Sequence, residues 1–208
     1  MTTLETITAD MDWRYGELAL LKTIPFRYHM LENHILQLKR YMVPAIYSIW
    51  EGFLCNTILA YIQEINRACI MPEDMKTNVL TYMMDVDDRF RLTLARIHRE
   101  NREKFVRDFR LFLSQPVLIN PKVITESNVN LKVTNNLLNS FGLEPLPKEE
   151  YDGQLNKLLK FRNAIAHGDN AIKVTDNEIN DFTKLIKDLM TDIVIRVEDG
   201  IRKQSYKN

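Results

Sequence analysis

The chain has 208 residues, of which 45% are hydrophobic and 27% charged, and its formal net charge is zero. This length and apolar content suit one domain with a real core. The zero net charge excludes a global attraction to nucleic acid, so any RNA site must come from local charge. Only six glycines and seven prolines favour an all-α protein with long helices.

The two cysteines, Cys55 and Cys69, have no metal-binding spacing and form no disulfide framework. We therefore expect a reducing compartment. The N-terminus lacks a basic region followed by an apolar stretch, and no run approaches the roughly 18 to 20 apolar residues of a membrane span. We expect a cytoplasmic protein that needs no metal or other cofactor and has no contact with a membrane.

Apolar periodicity in the first third of the chain predicts three helical stretches, which are separated by prolines. A first helix runs over about 3–22, before Pro25 breaks or bends the path. A second runs over about 27–41 and reaches Pro44, which kinks it or starts the next segment. The stretch that follows, to about residue 68, is so apolar that its helix is expected to be buried on much of its circumference.

Glu51 is the anomaly in this apolar helix, because a carboxylate among buried side chains needs a partner. Arg162 is likewise a charged residue on the apolar face of another helix, and it also needs a partner. We hypothesise that Glu51 pairs with Arg162 or helps to hold it in place. The alternative is that Glu51 faces solvent.

The middle of the chain, about 70–125, is a possible helical insertion. Pro72 is expected to open a short helix, and residues 85–110 are rich in arginine. One interpretation is an RNA-backbone contact surface, since phosphate contacts dominate nucleic-acid affinity. The interpretation we favour for most of these arginines is a solvated helix with acidic neighbours. Two of them, Arg96 and Arg99, are kept as candidate RNA-binding residues.

After a loop at 115–125, a helix over 131–138 is expected to stop around Gly142. The next helix carries leucines and Ile165 at the spacing of about 3.6 residues that lines one helical face. Gly168 directly follows, where a left-handed cap is commonly needed. Lys160 lies on the polar side and is a third candidate RNA-binding residue.

Arg162 and His167 are the pair in this helix that we expect to carry chemistry. Arg162 falls near the middle of the apolar stripe, and an arginine is almost never fully buried without a partner. His167 lies roughly 140° further round, four residues after Asn163, whose amide could orient the imidazole. Together they would suit a phosphate. The alternative is a salt-bridged arginine and a capping histidine.

A last amphipathic helix begins at Thr175, which forms a predicted capping box with Glu178. Its apolar stripe is long enough to close a helical bundle or to form a subunit interface. The polar residues 202–208 are expected to fray.

The segment Arg162-Asn163-Ala164-Ile165-Ala166-His167-Gly168 resembles the signature of HEPN-domain ribonucleases. Three more segments resemble a stand-alone, toxin-like and phage-defence branch of that superfamily. They are Asp12-Trp13-Arg14 with Glu17-Leu18, Tyr47-Ser48-Ile49-Trp50-Glu51-Gly52-Phe53, and Asn139-Ser140-Phe141-Gly142-Leu143. The resemblance covers most of the chain, and it is weakest at about 70–125.

The resemblance implies a single all-α, HEPN-like helical bundle over 1–208, in which two protomers place their motifs in one composite cleft. It implies a metal-independent endoribonuclease that leaves a 2′,3′-cyclic phosphate. His167 would act as general acid or base and Arg162 would stabilise phosphate charge. Asn163 would support His167 or contact phosphate, and Glu51 would support the site.

The sequence departs from this family at two places. Ile49 stands where members of this branch often have a histidine, and Cys55-Asn56 stands where they often have a lysine. The resemblance further implies an RNA substrate, a homodimer, a toxin or phage-defence setting, and a cognate antitoxin or inhibitor protein. The alternative function is a non-catalytic dimerisation or binding module that supports a partner such as a nucleotidyltransferase.

Overall fold

A computed structural model describes residues 1–87, 90, 99–123, 125 and 128–208, with 99–101 described by their backbone only. Within these residues the chain forms seven α-helices and no strand, which confirms the all-α prediction. The helices are α1 (Thr3–Arg27), α2 (Glu32–Arg67), α3 (Thr77–Val86), α4 (Arg99–Leu113), α5 (Leu131–Ser140), α6 (Lys148–Ala166) and α7 (Asp176–Lys203). A 3-10 turn at Pro72–Asp74 is the short helix predicted there.

The helices belong to two compact units, each built from separate parts of the chain. The first contains Met1–Thr57, Thr125–Asn135 and Leu146–Ile195. The second contains Ile58–Ile124, Asn136–Pro145 and Arg196–Asn208. The predicted motif helix, α6, lies wholly in the first unit. A single domain with an insertion at 70–125 stays a prediction.

The two prolines of the N-terminal region lie inside helices, so a break at either is wrong, whereas the bend at Pro25 and the kink at Pro44 stay predictions. Pro25 falls in the last turn of α1, and α2 continues through Pro44 as one helix of 36 residues. The lost backbone donor at Pro44 is tolerated because the flanking Val43 and Ile46 are fully buried and hold the helix by packing.

One helix, α2, is long and apolar enough to pass for a membrane span by length and composition alone. The sequence-based expectation that no segment approaches such a span is therefore too strong. In the most apolar 18-residue segment of α2, 56% is buried. The core helix of a soluble protein has the same length and composition. Its buried residues include Trp50, Phe53 and Leu54.

Gly52, in the middle of α2, makes room for a buried arginine. A Cβ atom at Gly52 would lie 2.9 Å from Nη1 of Arg14, which is 7% exposed. Nε of that guanidinium donates a hydrogen bond to the carboxylate of Asp10 at 2.8 Å, and Nη1 donates one to the carbonyl of Ile49 at 2.9 Å. The glycine after Trp50-Glu51 is thus explained by the close approach of α1.

The phenylalanines of the arginine-rich region pack against one another. Phe90 is 5% exposed, and its ring meets those of Phe105, Phe109 and Phe112 at 5.6 to 6.5 Å. Arg102, Arg107 and Arg110 are exposed on α4. Phe90 and Phe112 therefore belong to the core of the second unit, while Phe105 and Phe109, which stack on each other, are half-buried.

The C-terminal residues are ordered by specific contacts, so the prediction that 202–208 fray is wrong. Tyr206 is buried, and its carbonyl accepts a hydrogen bond from the amide of Lys76 at 2.9 Å. The side-chain amide of Asn208 donates to the carbonyls of Glu73 and Met75. A buried aromatic side chain two residues from the end outweighs the fraying that polar termini show.

Gly142 has a left-handed backbone with a φ of +69°, and a Cβ there would collide with the carbonyl of Ser205. We expect Gly142→Ala to destabilise the protein by about 1 kcal/mol or more, from backbone strain and displacement of the C-terminal segment. Gly153, inside α6, has open space around it. Gly153→Ala should therefore stabilise by up to about 1 kcal/mol. Urea denaturation of both variants checks this, and equal effects would contradict it.

Thr175 and Glu178 form the predicted capping box. The backbone amide of Thr175 donates to Oε2 of Glu178 at 2.8 Å, and the amide of Glu178 donates back to Oγ1 at 3.4 Å. These hydrogen bonds from Thr175, assisted by Lys157, lower the pKa of the Glu178 carboxyl. The ionised carboxylate therefore stabilises the folded state above the ordinary glutamate pKa.

This stabilisation is lost as the pH falls through the lowered pKa of the folded state. We expect Glu178→Gln to be less stable than the unmodified protein at neutral pH. The difference should shrink in acid, where both side chains are uncharged. Thermal unfolding at a series of pH values checks this, and a difference that persists in acid would show that Glu178 acts by packing alone.

Candidate functional site

The site is built on the C-terminal end of α6, whose apolar face holds the helix in place. Leu155, Leu158 and Leu159 are buried along that face, and Ile165 is 8% exposed. The helix ends at Ala166, so His167 is its C-cap, with a φ of −87° and a ψ of 6°. Gly168 follows with a φ of +79°, which confirms the predicted left-handed stop.

Backbone hydrogen bonds fix the chain at this helix end. The amide of His167 donates to the carbonyl of Asn163 at 3.0 Å, and the amide of Gly168 donates to Ile165 at 3.1 Å. The amide of Asp169 reaches back to the carbonyl of Ala164 at 2.9 Å. This pattern is a left-handed helix termination, which glycine permits because it has no Cβ.

Arg162 is half-buried one turn before the helix end and is held by uncharged groups. Its Nη1 donates to Oδ1 of Asn163 at 2.8 Å and to Oδ1 of Asn128 at 3.3 Å. Its Cζ lies 4.6 Å from the centre of the Tyr47 ring, within the range of a cation–π contact. In the part of the chain that the structure describes, its Nε and Nη2 have no partner, so two nitrogens with three N–H donors remain for a ligand.

The predicted ion pair between Glu51 and Arg162 is not formed. Among the described residues, no carboxylate oxygen lies within 4.0 Å of the Arg162 guanidinium. Glu51 lies one helical turn after Tyr47 on α2 and is half-buried. The predicted pairing is wrong, because the contacts that hold the Arg162 guanidinium come from the Tyr47 ring and from the amide oxygens of Asn163 and Asn128.

Both charges nevertheless act on the Tyr47 hydroxyl. Burial raises the pKa of that hydroxyl, and the hydrogen bond from Val129 lowers it. The charge of Glu51 adds to the rise of this pKa, and that of Arg162 opposes it. Glu51 and Arg162 thus both face the environment of Tyr47, and a supporting role of Glu51 in the site stays a prediction.

Tyr47 also fixes the segment that carries Asn128. Its ring is 1% exposed, and its hydroxyl oxygen accepts a hydrogen bond from the amide of Val129 at 2.8 Å. The next residue, Asn130, accepts from the amide of Val133 at 2.9 Å and so caps α5. The amide oxygen of Asn128 is thereby held against Arg162.

The imidazole of His167 is exposed and makes no hydrogen bond among the described residues. The expectation that the Asn163 amide orients it is wrong, because the Asn163 oxygen accepts from Arg162 instead. Only the backbone of His167 is fixed. The exposed imidazole is therefore open to a ligand from solvent.

Arg40, on α2, holds the loop that follows His167. Its Nη2 donates to the carbonyl of Asp169 at 2.6 Å, and its Nη1 donates to the carbonyl of Ile172 at 2.8 Å. Sequence reasoning missed Arg40, Tyr47 as a ring support, and Asn128. Their partners are 34 to 132 residues away along the chain, so no local pattern could have indicated them.

The other candidate residues do not join this cluster. Lys160 is exposed and lies roughly 200° from Arg162 around α6, on the opposite side of the helix. The side chains of Arg96 and Arg99 lie outside the described residues. Where the chain is described, no group of three or more histidine, cysteine or acidic residues could hold a metal ion.

A comparison with protein-family models matches residues 3–206 to the family described as HEPN_MAE_28990-like HEPN. The chain belongs to the HEPN family. Searches of curated proteins and of solved structures gave no match. HEPN domains are commonly ribonucleases, and others serve as nucleotide-binding modules.

Tyr47→Phe tests how the Asn128 segment of this HEPN domain is held. The variant keeps the ring under Arg162 but leaves the buried amide of Val129 without an acceptor. We expect it to lose about 1 to 3 kcal/mol of unfolding free energy, which is the cost of an unsatisfied buried donor. Urea denaturation measures this. Tyr15→Phe, which removes a half-buried hydroxyl bonded to Lys187, is the control and should lose less.

Proposed function

We propose that the protein is a metal-independent endoribonuclease. The observation that carries this proposal is the half-buried Arg162, which has free donors and no carboxylate partner in the described residues, near the exposed His167. An uncompensated guanidinium attracts an anion, and its forked donors match phosphate oxygens. The family supports the proposal, because HEPN domains are commonly ribonucleases.

The proposed reaction is an internal transfer at one RNA phosphate. The ribose 2′-oxygen attacks the neighbouring phosphorus and loses its proton to a base. The bond from phosphorus to the 5′-oxygen breaks, and that oxygen takes a proton from an acid. The products are a 2′,3′-cyclic phosphate and a 5′-hydroxyl, so no water or metal ion is consumed.

In this reaction His167 is the general acid or base, and Arg162 neutralises charge on the phosphate oxygens. Asn163 supports Arg162 through its amide oxygen, and Glu51 acts on Tyr47 beneath the guanidinium. A single imidazole cannot be base and acid at the same moment. We therefore propose that two copies of the chain supply two histidines to one cleft, as a homodimer.

We further propose that the enzyme acts in the cytoplasm as a toxin or phage-defence effector. A ribonuclease with an exposed catalytic histidine would damage its own cell unless it were restrained. This requirement implies an antitoxin or other inhibitor protein that covers the site.

One observation favours a second candidate function. No described group orients the His167 imidazole, whereas a fixed general base is usually held by a hydrogen bond. A non-catalytic HEPN module, which binds a nucleotide or supports a partner such as a nucleotidyltransferase, needs no such orientation. In that case Arg162 would bind a phosphate without cleaving it.

The deciding measurement is cleavage of total RNA in excess EDTA by the purified protein and by His167→Ala and Arg162→Ala. We expect the histidine variant to lose about 100-fold to 10,000-fold in rate, as general acid–base catalysis contributes. The arginine variant should lose about 100-fold to 1,000-fold. The unmodified protein should leave cyclic phosphate ends.

The matched control is His34→Ala, which removes another exposed histidine and should cleave at the unmodified rate. Each variant is first shown to unfold at the same temperature as the unmodified protein. If no protein cleaves RNA but Arg162→Ala loses affinity for a nucleotide, the binding module replaces the ribonuclease. Cleavage that EDTA abolishes would contradict the proposed mechanism.

A further inference from the structure

Residues 18–31, which form the end of α1 and the turn into α2 and are called the α1–α2 turn below, carry basic side chains without acidic ones. From Leu18 to Leu31 the sequence contains Lys22, Arg27 and His29 and no acidic residue. All three of these side chains are exposed. In a chain whose formal net charge is zero, this segment is a local positive surface that favours a polyanion.

The same turn exposes aromatic rings. Phe26 is 78% exposed and Tyr28 is 69% exposed. The two rings are two residues apart in the chain and open to a ligand from solvent. Rings among cations are the combination that binds single-stranded nucleic acid, in which bases stack on aromatic faces and cations contact the backbone.

The turn presents these rings on a fixed backbone. The amide of Tyr28 donates to the carbonyl of Ile24 and the amide of Met30 donates to Pro25, both at 3.2 Å. His29 has a left-handed φ of +47°, which completes the tight reversal. Because the backbone is already ordered, binding a ligand here would cost little conformational entropy.

A cleft of about 390 Å³ lies beside Phe26. Its polar lining is formed by Lys22, Asn180 and the ion pair of Lys39 with Asp176, and its size falls within the range of ligand-binding pockets. The Asn180 amide is exposed and offers both a donor and an acceptor, as the edge of a nucleobase requires. A base that stacks on Phe26 could enter this cleft.

Three contacts, made by two residues of α2, connect the cleft to the proposed active site. Nζ of Lys39 pairs with Asp176 at 2.8 Å, and the next residue, Arg40, holds the carbonyls of Asp169 and Ile172. The segment 169–176 therefore links His167 to one wall of the cleft. A strand bound at the turn would lie next to the loop that carries the proposed catalytic histidine.

We propose that the α1–α2 turn is a binding surface for single-stranded RNA, on which bases stack on Phe26 and Tyr28 and phosphates contact Lys22 and Arg27. This proposal rests on the proposed ribonuclease function and deepens it, because it names unpaired RNA as the substrate class. In a duplex the bases are already stacked on one another, so their faces are not available to these rings.

The experiment is fluorescence anisotropy with a labelled 2′-O-methyl RNA of about 10 nucleotides, a length that single-strand-binding proteins cover. The methyl group blocks the 2′-hydroxyl, so binding is measured without cleavage. We expect Phe26→Leu and Tyr28→Leu each to raise Kd about 5-fold to 100-fold, which is the loss of one stacked base. Phe26→Tyr keeps an aromatic face and should bind as the unmodified protein does.

The charges are tested by the salt dependence of the same binding. Replacing Lys22 and Arg27 by glutamine should reduce the slope of log Kd against log salt by about 0.7 for each cation removed. Lys132→Gln removes an exposed lysine of the same unit that lies on α5. This control should leave both Kd and the slope unchanged.

Several outcomes would overturn the proposal. If the unmodified protein does not bind the oligonucleotide, or binds duplex RNA as tightly, the turn is not a single-strand surface. If Phe26→Leu binds as well as Phe26→Tyr, an apolar side chain without a π face suffices, as at a protein or lipid surface. Binding that persists in a protein that cleaves no RNA would instead overturn only the ribonuclease.

Discussion

The contact between the Arg162 guanidinium and the Tyr47 ring joins the helix that carries the HEPN motif to the apolar helix α2. A half-buried positive charge is costly unless neighbouring groups replace water. Here two amide oxygens and one aromatic face do so, and no carboxylate of the described residues takes part. This leaves the charge uncompensated, which is the property that a phosphate-binding arginine needs. An ion pair with Glu51 would have satisfied the same charge and weakened its attraction for a substrate.

The two residues of the motif are held in different ways. Arg162 is fixed through its side chain, by contacts that come from α2 and from the segment before α5. His167 is fixed through its backbone, by the helix termination at Gly168 and by the hydrogen bond from Arg40 to the loop that follows. A binding group benefits from rigidity, whereas an imidazole that exchanges protons with a substrate must remain reachable. The difference between a held arginine and an open histidine is consistent with the proposed division of roles.

Local patterns predicted the elements whose causes are local. The apolar spacing of α6, its glycine stop and the capping box at Thr175 all depend on residues within a few positions of one another, and the structure contains each of them. A new segment at Pro44 did not form, because packing of α2 outweighs one missing backbone donor, and Pro25 falls within the last turn of α1. The C-terminal segment was expected to fray because its polarity was visible, while the burial of Tyr206 was not.

By itself the sequence determined the all-α class, the position of the Arg162 and His167 motif at a helix end, and membership of the HEPN family, which the match to residues 3–206 supports. These follow from periodicity and residue order, which can be read from the sequence alone. Only the tertiary structure decided what surrounds the arginine, namely Tyr47, Asn128 and no carboxylate within the described residues. It also revealed Arg40 beside the histidine loop. Such contacts join residues that lie far apart in the chain, and nothing in the local pattern of either partner specifies which distant side chain will meet it.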